Sequence, residues 1–313
     1  MKDRKIVIIG AGFVGATIGY TLMCKETVRK IVLIDIDAKK AEGEAMDILH
    51  GVPFVRPSQV YAGTYADCRG ADIIILAAGA AQKKGETRTD LLSRNAAIFK
   101  SILEEVMRYA PEEALFLVVT NPVDILTYIT LKITGLSPAR VLGSGTVLDT
   151  ARLRAHLASH TQIDARNIHA YIIGEHGDSE VAAWHTATIA GLSIHEFCNQ
   201  CGHCGGSSMD EIRDSVKNAA YEIVEKKGAT YYAVALCAER IVRALSGGEN
   251  SILTVSGLCM GEYGIRDVCL SLPRAVAAGG IARTIAPALS AEEEKALLFG
   301  AEKLRTLAKE IGY

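Results

Sequence analysis

Three glycines near the N-terminus restrict the folds open to this chain. Gly10, Gly12 and Gly15 follow the apolar run 5–9 and stand where a helical pattern begins. In this context the first glycine permits a tight turn, the second lets the backbone approach a pyrophosphate, and the third allows close helix–strand packing. The N-terminus of the helix also attracts phosphate charge. The pattern predicts a strand–turn–helix unit that binds a dinucleotide.

A carboxylate follows the next apolar run at a spacing that suits a ribose. Asp35 lies 20 residues beyond Gly15 and directly after the run 31–34. A carboxylate there accepts hydrogen bonds from the adenosine ribose and repels a 2′-phosphate, and residues 36–38 include no arginine to receive one. The sequence therefore predicts NAD and not NADP. The alternative is that the glycines only shape a turn and Asp35 only caps a loop.

Apolar runs alternate with amphipathic helical patterns through the first half of the chain. The apolar runs, each typical of a buried parallel strand, are 5–9, 31–34, 73–76, 115–119 and 141–143. The helical patterns are 13–24, 38–49 and 90–110. This alternation predicts a Rossmann-type doubly wound parallel α/β sheet over residues 1–144.

The second half is less regular. Helical patterns at 149–159 and 208–243 are separated by strand-like segments such as 168–173. We therefore expect an α+β domain over residues 145–313 that binds the substrate.

Composition narrows the classes of partner. The 313 residues carry a formal charge of −2, and 49% of them are hydrophobic, which is the balance of a folded protein with a large core. Because there is no basic excess, nucleic acid and anionic membrane are poor candidate partners. Small molecules remain as the candidate partners.

Two features bear on the cellular compartment. Residues 6–24 are uncharged after a mostly basic start, which imitates a signal peptide, but no small-residue cleavage site precedes Lys25. The eight cysteines are expected to be reduced thiols, since a chain with a large core does not need disulfides. We therefore expect a cytoplasmic protein.

The second half also offers groups suited to acid–base chemistry. His176 is flanked by glycines just after the strand-like segment 168–173, where a side chain can face a cleft. Asp149 and Arg152 stand at i and i+3, on one face of a predicted helix. Hydride transfer to or from an alcohol carbon requires such a base, together with cations for a substrate carboxylate. Taken alone, a histidine beside glycines is more often a surface or core residue.

Several motifs occur together and in one order along the chain. They are the glycine pattern at 10–15, the segment 82–88, the Thr-Asn-Pro-Val-Asp run at 120–124, the Asp149–Arg152 pair and the histidine motif at 174–178. In these motifs the chain resembles the lactate/malate dehydrogenase family over nearly its whole length. The resemblance implies hydride transfer between a nicotinamide and the C2 carbon of a small 2-hydroxy or 2-keto acid.

The resemblance also implies roles for individual residues. His176 exchanges a proton with the substrate oxygen, while Asp149 holds its imidazole in the useful tautomer. Arg152 clamps the substrate carboxylate in a two-pronged pair. Arg88 polarises the C2 carbonyl from a mobile lid, and Asn121 helps to bind the same region. Without the resemblance, the basic segment around Arg88 would be interpreted as a solvated loop.

Further cofactor contacts are implied in the same way. The residues concerned, besides Gly10, Gly12, Gly15 and Asp35, are Val14, Lys40, Tyr65, Gly79, Ala80, Thr120, Asn121 and Ser144.

Gln82 bears on the choice of substrate. Malate and oxaloacetate carry a second carboxylate, which must meet a cation in a closed pocket, and the malate enzymes have arginine where this chain has Gln82. The neutral Gln82, with Thr230 by resemblance, favours lactate over malate and over branched 2-hydroxy acids. Lys84 stands where the family more often has proline. If the Lys84 side chain pointed into the pocket, malate would again be a candidate substrate. Its long stem favours an outward pose.

Arg154 and His169 match positions that bind fructose 1,6-bisphosphate in activated bacterial relatives. We therefore expect an allosteric anion site between subunits, and the family suggests a homotetramer. The alternative is an ordinary surface arginine and a satisfied histidine.

A cluster of cysteines has spacing similar to that of zinc ligands. Cys198, Cys201, His203 and Cys204 fall within seven residues, but no second half of a zinc finger accompanies them. We expect no metal. Two functions of other classes remain open, an NAD-dependent glycoside hydrolase and a redox sensor that binds NAD without turnover, although neither needs the set of Asp149, Arg152 and His176.

Overall fold

The structure is a computed structural model that describes residues 4–80, 88–201, 208–247 and 249–313, with Arg88 and Cys201 described by their backbone alone. No helix in these ranges is long and apolar enough to cross a membrane.

Strands and helices alternate through the first half, which confirms the predicted fold class. The elements are β1 (Lys5–Ile9), α1 (Phe13–Cys24), β2 (Lys30–Ile34), α2 (Ala38–His50), β3 (Gln59–Ala62), β4 (Ile73–Leu76), α3 (Arg88–Val106), β5 (Leu115–Val118), α4 (Val123–Thr134) and β6 (Val141–Gly143).

The second half mixes helices with short strands. The elements are α5 (Val147–Thr161), β7 (Ile168–His169), β8 (Ile172–Ile173), β9 (Val181–Ala182), β10 (Thr188–Ile189), β11 (Leu192–Ser193), α6 (Ile194–Cys201), α7 (Met209–Lys227), α8 (Tyr232–Gly247), β12 (Ser251–Leu253), β13 (Ser256–Met260), β14 (Arg266–Ser271), β15 (Arg274–Ala277), β16 (Gly280–Thr284) and α9 (Ala291–Glu310).

The main sheet has the strand order β14-β13-β6-β5-β4-β1-β2-β3. Strands β1 to β6 are parallel, and the order reverses between β1 and β4. In doubly wound sheets ligands bind at the carboxyl ends of the strands beside this reversal. The antiparallel strands β13 and β14 extend the sheet from the second half, through the pairing of Ser256 with Gly143.

The core lies on both faces of this sheet. Ile6 and Ile8 of β1 pack into one apolar cluster with α1 and α8, whereas Val7 and Ile9 pack into another with α3, α4 and α9. Alternate residues of a strand point to opposite faces, so a strand buried on both faces must be apolar throughout. This explains why the runs in the sequence are continuous and do not alternate with polar residues.

Two predicted elements were wrong in extent. The helical pattern 208–243 is two helices, α7 and α8, because α7 ends at Gly228, whose φ of +86° leaves the helical region. The segment 168–173 is divided into β7 and β8, which pair with different partners, β10 and β9. The short strand β3 was not predicted from the sequence.

Candidate active site

The glycine turn lies at the carboxyl end of β1, beside the reversal of strand order. Gly10 has a φ of +102°, and a Cβ there would lie 2.5 Å from the backbone nitrogen of Ala78 on the neighbouring strand's loop. A Cβ on Gly15 would lie 1.8 Å from the carbonyl oxygen of Gly10, so only glycine permits this packing of α1 on β1. A Cβ on Gly12 would meet nothing within 4 Å. The open space at the N-terminus of α1 fits a pyrophosphate.

Asp35 is held in place by backbone donors. Its Oδ2 accepts from the amide of Ala11 at 2.7 Å, and its Oδ1 accepts from the amide of Asp37 at 3.0 Å. The carboxylate therefore ties the glycine turn to the end of β2. Each carboxylate oxygen can accept a further hydrogen bond, so this arrangement also fits a ribose diol.

Asn95 of α3, which the sequence analysis missed, joins two loops that carry predicted cofactor residues. Its Oδ1 accepts from the amide of Ala80 at 2.8 Å, and its Nδ2 donates to the carbonyl of Asn121 at 3.3 Å. Asn95 is 1% exposed. A buried amide that bridges two loops fixes their separation, and the hydroxyl of Thr120 adds a bond to the carbonyl of Ala78 at 2.8 Å.

The remaining predicted cofactor residues occupy varied positions. Val14 lies on α1 and the exposed Lys40 on α2, Tyr65 is half-buried after β3, and the buried Ser144 follows β6. Gly79 lies so close to Thr120 that a Cβ on Gly79 would be 2.4 Å from the methyl carbon of Thr120. Their contacts with a cofactor stay predictions.

His176, Asp149 and Arg152 are brought together by α5 and the β8–β9 hairpin. The imidazole Nδ1 of His176 donates to Asp149 Oδ2 at 2.5 Å, and Nη1 of Arg152 donates to Asp149 Oδ1 at 2.8 Å. The Asp149 side chain is 2% exposed, whereas those of Arg152 and His176 are 14% and 23% exposed. One buried carboxylate thus orients a base and a guanidinium, and leaves the Nε2 of His176 for another partner.

The charges in this cluster reinforce each other. Burial opposes the charged imidazolium, but the carboxylates of Asp149, Asp124 and Glu180 outweigh it and raise the pKa of His176 to about 9. Burial likewise opposes ionisation of Asp149, yet the positive charges of His176 and Arg152 lower its pKa. At neutral pH His176 is therefore protonated and can act as an acid.

Asp124 supports the same histidine from the other side, and no role was predicted for it. Its Oδ2 accepts from the backbone amide of His176 at 2.7 Å, and its Oδ1 accepts from the Ser256 hydroxyl at 2.5 Å. Asp124 is 2% exposed, and this burial raises its pKa to about 6. An acid in the apolar first turn of α4 was the signal in the sequence that could have identified it.

The expected substrate residues are described in part. Gln82, Lys84 and the Arg88 side chain lie outside the described residues. Thr230 is half-buried in the connector between α7 and α8. The next residue, Tyr231, stacks on Phe13 at 5.4 Å between ring centroids, which places this connector against the first residue of α1.

Arg154 lies on α5, and His169 is the last residue of β7. The Nε of Arg154 donates to the carbonyl of Ala170 at 3.0 Å, and its guanidinium lies 5.2 Å from the ring centroid of Tyr171. His169 precedes Ala170 and is exposed. His169 is thus one residue from the carbonyl that Arg154 contacts, and the binding of an effector by these two residues stays a prediction.

The cysteine cluster with zinc-like spacing falls mostly outside the described part of the chain. The side chain of Cys201 lies outside it, as do His203 and Cys204. The described residues contain no group of histidine, cysteine and acidic side chains that could hold a metal ion, and no disulfide joins the cysteines described. The absence of metal from this loop stays a prediction.

Comparison with known proteins gives matches over nearly the whole chain. The family model for the NAD binding domain of lactate/malate dehydrogenase matches residues 4–143, and that for the alpha/beta C-terminal domain matches residues 146–312. An L-lactate dehydrogenase of Acetivibrio thermocellus is 54% identical over 98% of this chain and 96% of its own length. One of Thermoanaerobacter pseudethanolicus is 56% identical over 98% and 99%.

Solved structures give the same result. A lactate dehydrogenase from a Medee basin deep-sea metagenome library superimposes with a TM-score of 0.97 at 40% identity, and covers 100% of both chains. The ligand-bound minor L-lactate dehydrogenase from Enterococcus mundtii has a TM-score of 0.95 at 40% identity, and covers 99% of both chains.

Proposed function

The chain belongs to the lactate/malate dehydrogenase family, and we infer that it catalyses the reversible reduction of pyruvate to L-lactate by NADH. Its cofactor is NAD, and its substrate is a small 2-keto or 2-hydroxy acid. The observation that carries this function is the single buried carboxylate of Asp149, which holds an acid and a guanidinium side by side.

The reaction consumes one hydride and one proton for each pyruvate reduced. NADH, when bound, supplies the hydride. His176, protonated at neutral pH, delivers the proton from Nε2 to the C2 oxygen, while Asp149 stabilises the imidazolium before transfer. Nη1 of Arg152 already donates to Asp149, so Arg152 binds the substrate carboxylate through its other N–H groups. Arg88, by family resemblance, polarises the carbonyl.

We place substrate preference at Gln82. Wild type is expected to oxidise NADH steadily with pyruvate and only weakly with oxaloacetate or 2-ketoisocaproate. Gln82→Arg should raise the ratio of kcat/KM for oxaloacetate to that for pyruvate about 10²-fold, because a buried carboxylate gains a cation. Initial rates of NADH oxidation with the three acids measure this.

Gln59→Arg is the matched control for that variant, since Gln59 is exposed on β3 at the edge of the sheet. It should leave the ratio unchanged. Preference of wild type for oxaloacetate would favour a malate dehydrogenase instead, and preference for 2-ketoisocaproate a branched 2-hydroxy acid dehydrogenase. No turnover with any of the three would favour a glycoside hydrolase or a redox sensor.

We also propose activation by fructose 1,6-bisphosphate at Arg154 and His169. The hydrogen bond from Arg154 to the carbonyl of Ala170 supports the proposal, since it brings the guanidinium to the segment that carries His169. The effector should lower the pyruvate concentration for half-saturation about tenfold at pH 6. The response is measured at pH 6 and again at pH 8.

Pyruvate saturation curves with and without the effector test this activation. Arg154→Gln should lose the response, while Arg166→Gln, at an exposed residue paired with Asp164, should keep it. An unchanged pyruvate dependence at both pH values would show that the surface is not an effector site.

We further propose that the two domains meet at residues 144/145, that the protein is cytoplasmic and that it forms a homotetramer. The boundary is supported by the family models, which end at residue 143 and begin again at 146. The tetramer is supported by exposed large side chains on the packed pair α1 and α8, namely Phe13, Tyr20, Tyr232 and Leu236. Exposed large apolar side chains on packed helices are typical of a subunit interface.

A further inference from the structure

The β8–β9 hairpin carries three ionisable side chains besides His176, of which Glu180 is the last. Glu180 lies four residues beyond His176, and its amide donates to the carbonyl of Gly177 at 3.1 Å, which closes the turn. The next residue, Val181, pairs with Ile173 across the hairpin. The backbone of Glu180 is therefore fixed relative to that of the histidine.

The carboxyl group of Glu180 is placed unusually for an acid. Its Oε1 is buried and accepts no hydrogen bond within the described part of the chain. Glu180 forms part of the wall of a cavity of about 1210 Å³, together with Lys217 of α7 and Phe299 of α9. A buried carboxylate oxygen without a donor is costly, whereas a protonated carboxyl tolerates this position better.

The surrounding charges act on Glu180 in both directions. Burial and then the charge of Asp149 raise its pKa to about 8, while His176, Arg152 and Lys217 oppose that shift. The other charged or titratable side chains that line the cavity lie on the hairpin, beyond β9 and on α6, α7 and α9: Asp178, His185, His195, Arg213, Asp214, Glu292, Glu293 and Lys295. The groups that act most strongly on Glu180 are thus those of the proposed active site.

We propose that Glu180 is a positioning residue whose carboxyl group must be protonated when the substrate anion binds. In this state the positive charges of Arg152 and His176 are directed at the substrate and not at a second protein carboxylate. The inference rests on the proposed reduction of pyruvate, since it concerns the binding of a carboxylate by Arg152.

The proposal makes the number of bound protons measurable. Ionised Glu180 would add a negative charge beside Arg152 and oppose the substrate carboxylate. Productive binding of pyruvate then requires two protons, one on His176 and one on Glu180. Because the two pKa values are about 9 and about 8, the logarithm of kcat/KM should fall with a slope approaching −2 above both.

The experiment compares wild type with Glu180→Gln from pH 7 to about pH 10, at saturating NADH. Wild type should show the slope of −2, and Glu180→Gln, which is neutral throughout, a slope of −1. At the alkaline end the variant should exceed wild type in kcat/KM at least about tenfold, while kcat at saturating pyruvate changes little. A role confined to folding would not change the slope.

Two further variants separate the explanations. Glu180→Asp keeps an ionisable carboxyl and should retain the steeper slope. Glu292→Gln removes an exposed charge from the same cavity and should behave as wild type. A slope of −1 in wild type, or equal slopes in wild type and a folded Glu180→Gln, would overturn the role of Glu180. Failure of wild type to reduce pyruvate at all would instead contradict the proposed function.

Discussion

Asp149→Asn is expected to reduce kcat/KM for pyruvate at pH 7 about 10²- to 10⁴-fold. The substitution keeps the size of the side chain but removes the charge that both His176 and Arg152 contact. The amide can also present its NH₂ group to Nδ1, which favours the wrong tautomer of the imidazole. The loss therefore combines a mispositioned base with a histidine that is no longer protonated.

The pH dependence of this variant follows from the pKa of His176. In wild type the Asp149 carboxylate raises that pKa to about 9, so the part of the alkaline decline that comes from His176 should set in only as pH rises through about 9. Burial lowers the pKa of a histidine, and without Asp149 it should fall well below the wild-type value. Part of the lost activity should therefore return as the pH is lowered toward 6.

The measurement is the pH profile of kcat/KM for pyruvate in wild type and Asp149→Asn. Asp164→Asn serves as the control, because Asp164 is also paired with an arginine but is exposed, and its partner is Arg166 and not Arg152. A profile of Asp149→Asn with the same alkaline limit as wild type would mean that Asp149 does not set the protonation of His176.

Much of the fold could be predicted because its information is local. The runs that form β1 and β4 are continuous and apolar. This is the pattern of a strand that is buried on both faces. The break between α7 and α8 could not be predicted in the same way. A single glycine is tolerated within a helix, and the positive φ of Gly228 depends on how the two helices pack.

Long-range pairing was beyond the sequence pattern. Strands β13 and β14 belong to the second half of the chain, yet they extend the sheet of the first through the pairing of Ser256 with Gly143. Nothing in the composition of a short strand identifies the strand beside which it will lie. The main sheet therefore crosses the boundary that the alternation of strands and helices had suggested.

The candidate site divides along the same line. The i, i+3 spacing of Asp149 and Arg152 is a local signal, and family resemblance added His176 to the pair. Asp124 and Asn95 have no such spacing, because their partners come from distant segments: the His176 amide for one, and the loops of Ala80 and Asn121 for the other. Asp124 and Asn95 were therefore missed, whereas Asp149, Arg152 and His176 could be named from the sequence.

Arg152→Lys is expected to raise KM for pyruvate about 10²-fold and to lower kcat as well. A lysine keeps the positive charge near Asp149, so any loss must come from geometry and not from net charge. The planar guanidinium can bind one carboxylate with two parallel N–H groups while it also donates to Asp149, and a single ammonium cannot satisfy both partners in that arrangement. The loss of one such charge-assisted pair corresponds to about 3 kcal/mol.

Steady-state kinetics with pyruvate, at saturating NADH, separates the two parameters. A rise in KM alone would mean that Arg152 binds the ground state and the transition state equally, whereas a parallel fall in kcat would mean that it also aligns the C2 carbonyl with the proton on His176. Because Asp149 holds both side chains, we expect the parallel fall. Arg166→Lys, an equivalent change at an exposed ion pair, should alter neither parameter. A KM within about threefold of wild type in Arg152→Lys would show that the substrate carboxylate is bound elsewhere.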